Sequence, residues 1–513
     1  MAPTWIRRGY SAAILSVSCM ALAARASAQI ITIRTVPVAQ GDQFDIFPSN
    51  NVGMGGVSIA LADTLLDPFR NPAKGSRAAA GRFFGSPTFY SVSRDAGGGR
   101  TLPLAAFARR GLWYGGLSLA LQEVDASQVP SPGVIFGVED VAVRQVLPPV
   151  PDLGPVERSH GNGYAFATLG RVFPDAGLSV GGSLFWAGLH AVDGVDLLYA
   201  GSERIRQRGH AVDVRAGLLK EWAGGRSLEA VVLHNRYGMT HDVTYLDFFW
   251  DPNTQTTGQR TRVEENLDRT NIWGLHLQYE RPIAQSGWRI GWLATVNQMT
   301  HPKIPNYEIM SIPRDPGYSS AFNVGMGLSR RNGPAQFGVD VIYEPIWSYT
   351  WADAAGPVET VSGGAIPTGG KTIENRFRFS NLLFRMGVSR ELDLGAAVRA
   401  LGLQLGLAVH AIGYQLDQYD NVQEFGRAQE EQWLEWSPTW GLSLKFPELE
   451  IRYRGRVTNG TGRPGVAACQ VCRFVADGAV VAGGGILAAP SGPLTLEEVK
   501  LATHQFSISL PLR

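Results

Sequence analysis

The sequence predicts an all-β protein: a transmembrane antiparallel β-barrel of 14 to 16 strands with a small N-terminal plug, or hatch. Three observations predict this fold: apolar and polar side chains alternate through most of the chain, the alternating runs are long, and short connections alternate with long ones. Only 18% of the 513 residues are charged, which is below the roughly 25% typical of soluble domains. We therefore expect a large part of the surface to face lipid.

The first element, residues 1–28, is predicted to be a signal peptide. Arg7 and Arg8 form its positively charged start, residues 11–24 form a short apolar run, and residues 26–28 (Ala-Ser-Ala) supply the small side chains of a cleavage site. The apolar run is shorter than the about 20 residues that a membrane helix needs. The segment therefore predicts export, and no later segment of the sequence predicts a helical span.

The second element, residues 29–80, interrupts the alternating pattern and is predicted to be the hatch. It has a glycine-rich turn, a small-residue segment that ends in Ala-Asp, and an Asn-Pro-Ala triplet before the first barrel strand. These residues are Gly53, Gly55, Gly56, Ala62, Asp63, Asn71, Pro72 and Ala73. The arrangement resembles the N-terminal hatch of the FadL-like, TodX-type outer-membrane transporters of long-chain fatty acids and hydrocarbons.

The resemblance implies a 14-stranded barrel of the bacterial outer membrane, plugged by its N-terminal domain. In that family a hydrophobic ligand enters from outside, passes apolar pockets when the hatch shifts, and leaves through a lateral opening at a kinked strand. The resemblance implies outer-membrane lipid and a hydrophobic small molecule as partners, and no cofactor. We also expect a monomer with no metal. A nucleic-acid partner is not expected, because 46 basic residues nearly balance 45 acidic ones and leave no basic footprint.

The third element, residues 81–513, is predicted to form the barrel wall. In residues 401–409, for example, leucine or valine occupies every odd position, opposite glycine, glutamine or alanine. Many such runs exceed the about 5 to 6 residues usual for soluble strands and reach the about 9 to 11 that cross a bilayer. The alternative is a large secreted β-sandwich, propeller or solenoid, but no repeat of about 20 to 50 residues supports the last two.

The connections also predict a barrel, because outer-membrane barrels have short periplasmic turns on one rim and longer extracellular loops on the other. Short links are predicted at residues 110–111, 173–176, 223–225, 284–286, 331–334 and 446–448. Longer polar or Pro/Gly-rich connections are predicted at residues 125–160, 190–208, 241–268, 300–317, 350–373, 417–432 and 458–498.

Five arginines are predicted to line the lumen and are candidates to bind an acidic ligand. Arginine facing lipid at mid-bilayer is unfavourable by about 2 to 4 kcal/mol, so alternating arginines should face inward. The candidates are Arg376, Arg378, Arg452, Arg454 and Arg456. Phe377 and Phe379 are expected on the face opposite the first two. The alternative is a structural ladder of ion pairs with Asp213, Glu280, Asp340 and Glu344.

Cys469 and Cys472 are the two cysteines that follow the signal peptide, spaced as Cys-x-x-Cys. An exported protein meets an oxidising compartment, so the pair predicts a local disulfide in a loop. Metal binding and redox chemistry stay open as alternatives.

The catalytic motifs are weak, and we expect no enzyme. Gly177-Leu178-Ser179-Val180-Gly181 has the spacing of a nucleophile elbow, but alternation continues through it where a strand-to-helix turn would be needed. The leading interpretation is an outer-membrane channel for passive uptake of hydrophobic small molecules such as long-chain fatty acids. The alternative functions are a non-transporting, PorV-like barrel that anchors or assists secreted proteins, and a barrel enzyme.

Overall fold

The computed structural model describes residues 43–512 with internal gaps. The predicted signal peptide, residues 1–28, and both Cys469 and Cys472 lie outside the described residues. The gaps are at residues 45, 79–80, 94–96, 126–158, 193–194, 196–201, 252–255, 302–315, 355, 396–397 and 465–495.

The wall is one antiparallel sheet in which each strand pairs with its neighbours along the chain. A separate two-stranded hairpin, β13 (Val358–Glu359) with β14 (Ala365–Ile366), lies in the connection between residues 353 and 371. The wall strands are β1 (Gly81–Gly85), β2 (Thr88–Val92), β3 (Gly98–Arg110), β4 (Trp113–Asp125), β5 (Ser159–Phe173), β6 (Leu178–Leu189), β7 (Arg204–Trp222), β8 (Arg226–Asp251), β9 (Thr256–Ile283), β10 (Trp288–His301), β11 (Gly317–Asn332), β12 (Ala335–Asp353), β15 (Lys371–Asp393), β16 (Ala400–Asp420), β17 (Phe425–Lys445), β18 (Glu450–Pro464) and β19 (Leu496–Leu512).

The sheet closes because the last strand pairs with the first. β1 and β2 are two halves of one strand, interrupted at Ser86-Pro87, since both halves keep the same register against β19 and against β3. Pro87 has no N–H group to donate, but its carbonyl accepts a hydrogen bond from Phe506 N at 2.9 Å. The wall is therefore a closed barrel of 16 strands, not the 14 that the resemblance implied.

The described connections follow the predicted alternation only in part. The links that return the chain at one rim are short, and the barrel begins and ends at that same rim. Two of the predicted long connections, residues 241–268 and 417–432, are wrong. The pairs β8–β9 and β16–β17 stay hydrogen-bonded through most of these residues. The missed parts of β9 and β17, residues 256–268 and 425–432, are mostly polar, because a strand that extends beyond the bilayer does not need an apolar outer face.

The outward face of the wall is apolar. Leu117, Leu119 and Leu121 on β4 expose 65 to 74% of their surface, whereas the intervening Ser118 and Ala120 are buried. Rows of this kind recur on other strands, and half-exposed tryptophans such as Trp113 and Trp347 accompany them, as in the aromatic girdles of membrane barrels. Such a surface is stable only in lipid. The protein is therefore a β-barrel of the bacterial outer membrane, with its short turns on the periplasmic side.

The helices of the structure are all short. No helix in the described part of the chain is long and apolar enough to cross a membrane.

Leu405 on β16, which is 64% exposed, tests the lipid-facing surface. Leu405→Arg should destabilise the folded barrel by about 2 to 4 kcal/mol, because it places a cation near the middle of the apolar band. The free energy of unfolding in lipid vesicles measures this effect. Gln415→Arg is the control, since Gln415 is exposed on the same face but lies closer to the loop rim. Equal stability of the two variants would contradict a lipid-facing position for Leu405.

Candidate functional site: the N-terminal segment and the cavity beneath it

The described N-terminal residues 43–78, here called the N-terminal segment, lie inside the barrel. The segment contains two 3-10 helices, Val52–Met54 and Pro72–Arg77, and one α-helical turn, α1 (Asp67–Arg70). It forms hydrogen bonds with strands all around the wall. The partners include Gln122 on β4, Glu229 on β8, Asp340 on β12, Thr439 on β17 and Gln505 on β19. A short segment can reach all sides of a closed barrel only from within.

The predicted glycine turn lies against β15, β16 and β17. Gly55 and Gly56 have positive φ angles of 72° and 75°, a conformation that favours glycine. The amide of Gly55 donates to Thr439 Oγ1 at 2.9 Å. A Cβ at position 55 would stand only 2.6 Å from the carbonyl oxygen of Leu407. Glycine is therefore required here both by the backbone conformation and by the close approach to the wall.

Asp63 of the predicted Ala-Asp pair organises the segment itself. Its carboxylate accepts hydrogen bonds from Ser49 Oγ at 2.5 Å and from the amide of Asn50 at 2.8 Å. It also accepts from the amides of Leu65 and Leu66 at 3.2 and 3.1 Å. The buried charge is thereby satisfied by the segment, and the two ends of residues 49–66 are held together.

The Asn-Pro-Ala triplet packs against the backbone of glycine residues on β6 and β7. Asn71 caps the second 3-10 helix, because its Oδ1 accepts from the amide of Ala73 at 3.0 Å. A Cβ at Gly217 would overlap Asn71 Oδ1, and a Cβ at Gly181 would stand 2.7 Å from the carbonyl oxygen of Pro72. The inward-facing glycines of the wall are thus shaped to the motif.

Buried charges join the segment to the wall near this triplet. Lys74 Nζ pairs with Glu229 of β8 at 2.8 Å and with Asp67 at 3.4 Å. Burial raises the pKa of Asp67 to about 6, although the attraction of Lys74 opposes this shift. Burial alone would lower the pKa of Lys74, but the two carboxylates raise it above its usual value. The segment supplies Lys74 and Asp67 and the wall supplies Glu229, so the buried charge of Lys74 is balanced in part by the wall.

Glu229 and Asp340 are site residues that the sequence interpretation did not assign to this role. Asp340 Oδ2 accepts from the amides of Ser58 and Ile59 at 2.7 and 3.2 Å, and so binds the segment and not an arginine ladder. The sequence does contain a signal for Glu229: it is an acidic residue on the same, inward face of β8 as Val231 and Leu233.

The structure divides the five predicted lumen arginines into two groups. Arg452, Arg454 and Arg456 lie on the inward face of β18, since they alternate with outward Ile451 and Tyr453. The predicted partners of an ion-pair ladder are bound elsewhere. Asp213 pairs with Arg215, Glu280 pairs with Arg77 and Arg289, and Glu344 lies 3.7 Å from His410.

Arg376 and Arg378 do not face the lumen. Both are exposed on the outward face of β15, whereas Phe377 and Phe379 point inward and are 1% and 4% exposed. The prediction failed because the rule against lipid-facing arginine holds only within the bilayer. These two arginines lie on the loop side of the apolar outward residues Leu382 to Val388, where the outer surface can be wet.

The inward phenylalanines belong to an apolar wall of the lumen, on the loop side of the segment. On β15, Arg385 donates a hydrogen bond to the carbonyl of Gly56 in the segment. Phe379 lies six residues before Arg385, which is about 20 Å along a strand. The apolar wall consists of Ile272, Met299, Ala321, Ile346, Phe377, Phe379, Tyr414 and Leu416, with Trp433 packed against it.

A cavity of about 1000 Å³, here called the cationic cavity, lies on the opposite side of the segment, towards the short-turn rim. Residues 50–51, 60–62 and 64 of the segment line one side of it, and the turn at residues 446–449 lines it at the rim. Eleven basic and five acidic side chains line it, an excess of six positive charges. From the loop rim to the short-turn rim, the lumen therefore presents the apolar wall, then the segment, then the cationic cavity.

The weak catalytic motif lies in regular structure. Ser179 is buried within β6 (Leu178–Leu189), which has no strand-to-helix turn at that serine. The geometry that a nucleophile elbow requires is therefore not formed there.

No protein family and no curated protein matches the sequence. The fold is similar to that of a FadL homologue from Pseudomonas aeruginosa, with 12% identity and a TM-score of 0.41 over 94% of this chain and 100% of that chain. It is also similar to the toluene transporter TbuX from Ralstonia pickettii, with 10% identity and a TM-score of 0.38 over 90% of this chain and 97% of that chain. The toluene transporter TodX from Pseudomonas putida has 9% identity and a TM-score of 0.39 over the same two shares.

Gly217→Ala should loosen the N-terminal segment, because the added methyl group overlaps Asn71 Oδ1. Overpacking of this kind is typically unfavourable by about 1 to 3 kcal/mol. Amide hydrogen exchange in residues 67–77 should therefore accelerate roughly tenfold or more. Gly182→Ala on the adjacent strand is the control, since its Cβ would meet nothing nearer than 3.7 Å. Unchanged exchange in Gly217→Ala would mean that the segment does not depend on this contact.

Proposed function

We propose that the protein is an outer-membrane channel for passive uptake of hydrophobic small molecules that carry an acidic group, such as long-chain fatty acids. In this proposal the N-terminal segment is the hatch, and movement of the hatch opens the route through the bore. The observation that carries the proposal is the apolar wall inside the lumen. The lumen of a water-filled porin is polar, whereas this lumen presents aromatic and aliphatic side chains on several adjacent strands.

The apolar wall suits a ligand with a long hydrocarbon chain. Ligand sites for such molecules are lined mainly by apolar and aromatic side chains, with a few placed polar groups. Phe377, Phe379 and Tyr414 have ring centroids 5.7 to 6.1 Å apart, so they form one continuous aromatic surface. Burial against this surface gives roughly 25 cal/mol for each Å² of apolar area removed from water.

The hatch role of the N-terminal segment is supported by the nature of its contacts with the wall. Its polar contacts are single hydrogen bonds and ion pairs to separate strands, its apolar residues such as Ile59 and Phe69 pack against wall side chains, and the segment adds no strand to the barrel sheet. Such contacts can be released without breaking the wall, whose strands bond to one another. A closed barrel can therefore remain in the membrane while the segment moves.

The uptake of oleate by intact cells tests the proposal. Cells that make the full chain should take up oleate faster than cells that lack it. Phe379→Asn should slow uptake roughly tenfold, because an unpaired amide in an apolar site is unfavourable by about 1 to 3 kcal/mol. Ser380→Asn is the matched control, since Ser380 is the exposed outward neighbour of Phe379.

The results separate this function from the alternative of a non-transporting barrel. That alternative predicts the same uptake with and without the protein and no effect of Phe379→Asn. The variants must be compared at equal amounts of folded protein in the outer membrane. Gel electrophoresis measures these amounts, because a folded barrel resists unfolding by detergent. Equal uptake at equal amounts would reject oleate transport.

A further inference from the structure

We propose that the cationic cavity binds the carboxylate of an amphipathic acid, with Arg454 as the central contact and Arg452 beside it. This inference rests on the proposed function, because it names the place where the acidic group of the transported molecule is held. The chemistry that the site recognises is an oxyanion. A free phosphate is the other source of that chemistry, and the experiment below separates the two.

Arg454 is a buried charge without a partner among the described residues. It lies on β18, lines the cavity and is 4% exposed. Its Nε and Nη1 atoms are buried and have no acceptor, and Arg454 forms no hydrogen bond or ion pair with any described residue. A guanidinium group stays charged in proteins, and a buried charge without a partner is strongly unfavourable. An anion in the cavity would supply the acceptors that the described side chains and backbone do not supply.

The nearby acidic groups are already engaged. Glu450 pairs with Arg452 Nη2 at 2.5 Å and lies 3.7 Å from Arg82 Nη1. Asp63, above the cavity, has its carboxylate occupied by the hydroxyl of Ser49 and by amides of the segment. Arg452 also keeps one buried nitrogen, Nη1, without an acceptor. Unused donors of two adjacent arginines therefore remain available in the same cavity.

The rest of the cavity strengthens the attraction for an anion. Glu280 is shared by Arg77 and Arg289, and Glu221 also pairs with Arg77, so these carboxylates do not neutralise the side of the cavity near β18. A cleft with an excess of one charge sign focuses the field and raises the local concentration of counter-ions. The planar guanidinium group suits carboxylate and phosphate groups, because it can donate two parallel hydrogen bonds.

The position of the site fits the proposed route. Arg454 is paired across the sheet with Gly441, and Gly441 is the residue against which Gly53 of the hatch packs. The carboxylate would therefore be held directly below the hatch. The hydrocarbon chain would reach the apolar wall only when the hatch has moved.

Binding to the purified full-length protein in detergent, measured by isothermal titration calorimetry, tests this inference. The probes are oleate, methyl oleate and inorganic phosphate. Arg454→Gln should weaken oleate binding about tenfold or more, the effect of losing a hydrogen bond to a charged group. Binding of methyl oleate, which has the same chain without the carboxylate, should be unchanged. Arg110→Gln is the control for net charge, since Arg110 is exposed at the same rim and does not line the cavity.

A second measurement keeps the test valid if Arg454 has only a structural role. Without ligand, Arg454→Gln should raise the Tm, because it removes an unpaired buried charge. A lower Tm together with unchanged oleate affinity would overturn the inference. Oleate affinity that Arg454→Gln leaves unchanged would also overturn it, even if cells still take up oleate through the protein. Phosphate binding that depends on Arg454, without oleate binding, would overturn the carboxylate assignment.

Discussion

The closure of the sheet is the constraint on which the rest of this structure depends. In lipid every backbone polar group must find its partner within the protein, and only a closed barrel satisfies this for strands. Sixteen strands achieve closure when β19 pairs with the two halves of the first strand. A barrel of this size encloses more space than wall side chains can fill; porins with 16 to 18 strands contain an aqueous channel. The N-terminal segment occupies that space here.

The N-terminal segment inside the bore explains why the inner face of the wall has glycines and acidic residues at particular positions. The wall presents glycines where the backbone of the segment approaches, as at Gly217 and Gly181, and acids where its cations and amides arrive, as at Glu229 and Asp340. Glycine inside a strand has no side chain to pack, so the close approach of the segment accounts for Gly217 and Gly181. The described segment and the inner face are therefore complementary at these positions, whereas Arg454 on β18 has no partner among the described residues.

Most of the wall could be predicted from the sequence, because the period of side-chain alternation is a local property. The alternation rule failed outside the bilayer, where an outward side chain does not have to be apolar. It missed the ends of β8–β9 and β16–β17, where residues 256–268 of β9 and 425–432 of β17 are mostly polar. It also placed Arg376 and Arg378 inside, because it assumed lipid at every outward position. The motif of the N-terminal segment is also visible locally. Its partners Glu229 and Asp340 are not, since they lie more than 150 residues away in the chain and only closure brings them near.

The most direct test of the central claim is a reversible cross-link between the N-terminal segment and the wall. A Cβ at Gly338 of β12 would stand 3.4 Å from the Cβ of Val57, close to the roughly 3.5 to 4.5 Å of a disulfide. Val57→Cys with Gly338→Cys, in a chain that also carries Cys469→Ser and Cys472→Ser, should form this cross-link. Oleate uptake should stop when it is oxidised and return when it is reduced. Undiminished uptake through the fully cross-linked protein would contradict a hatch that must move.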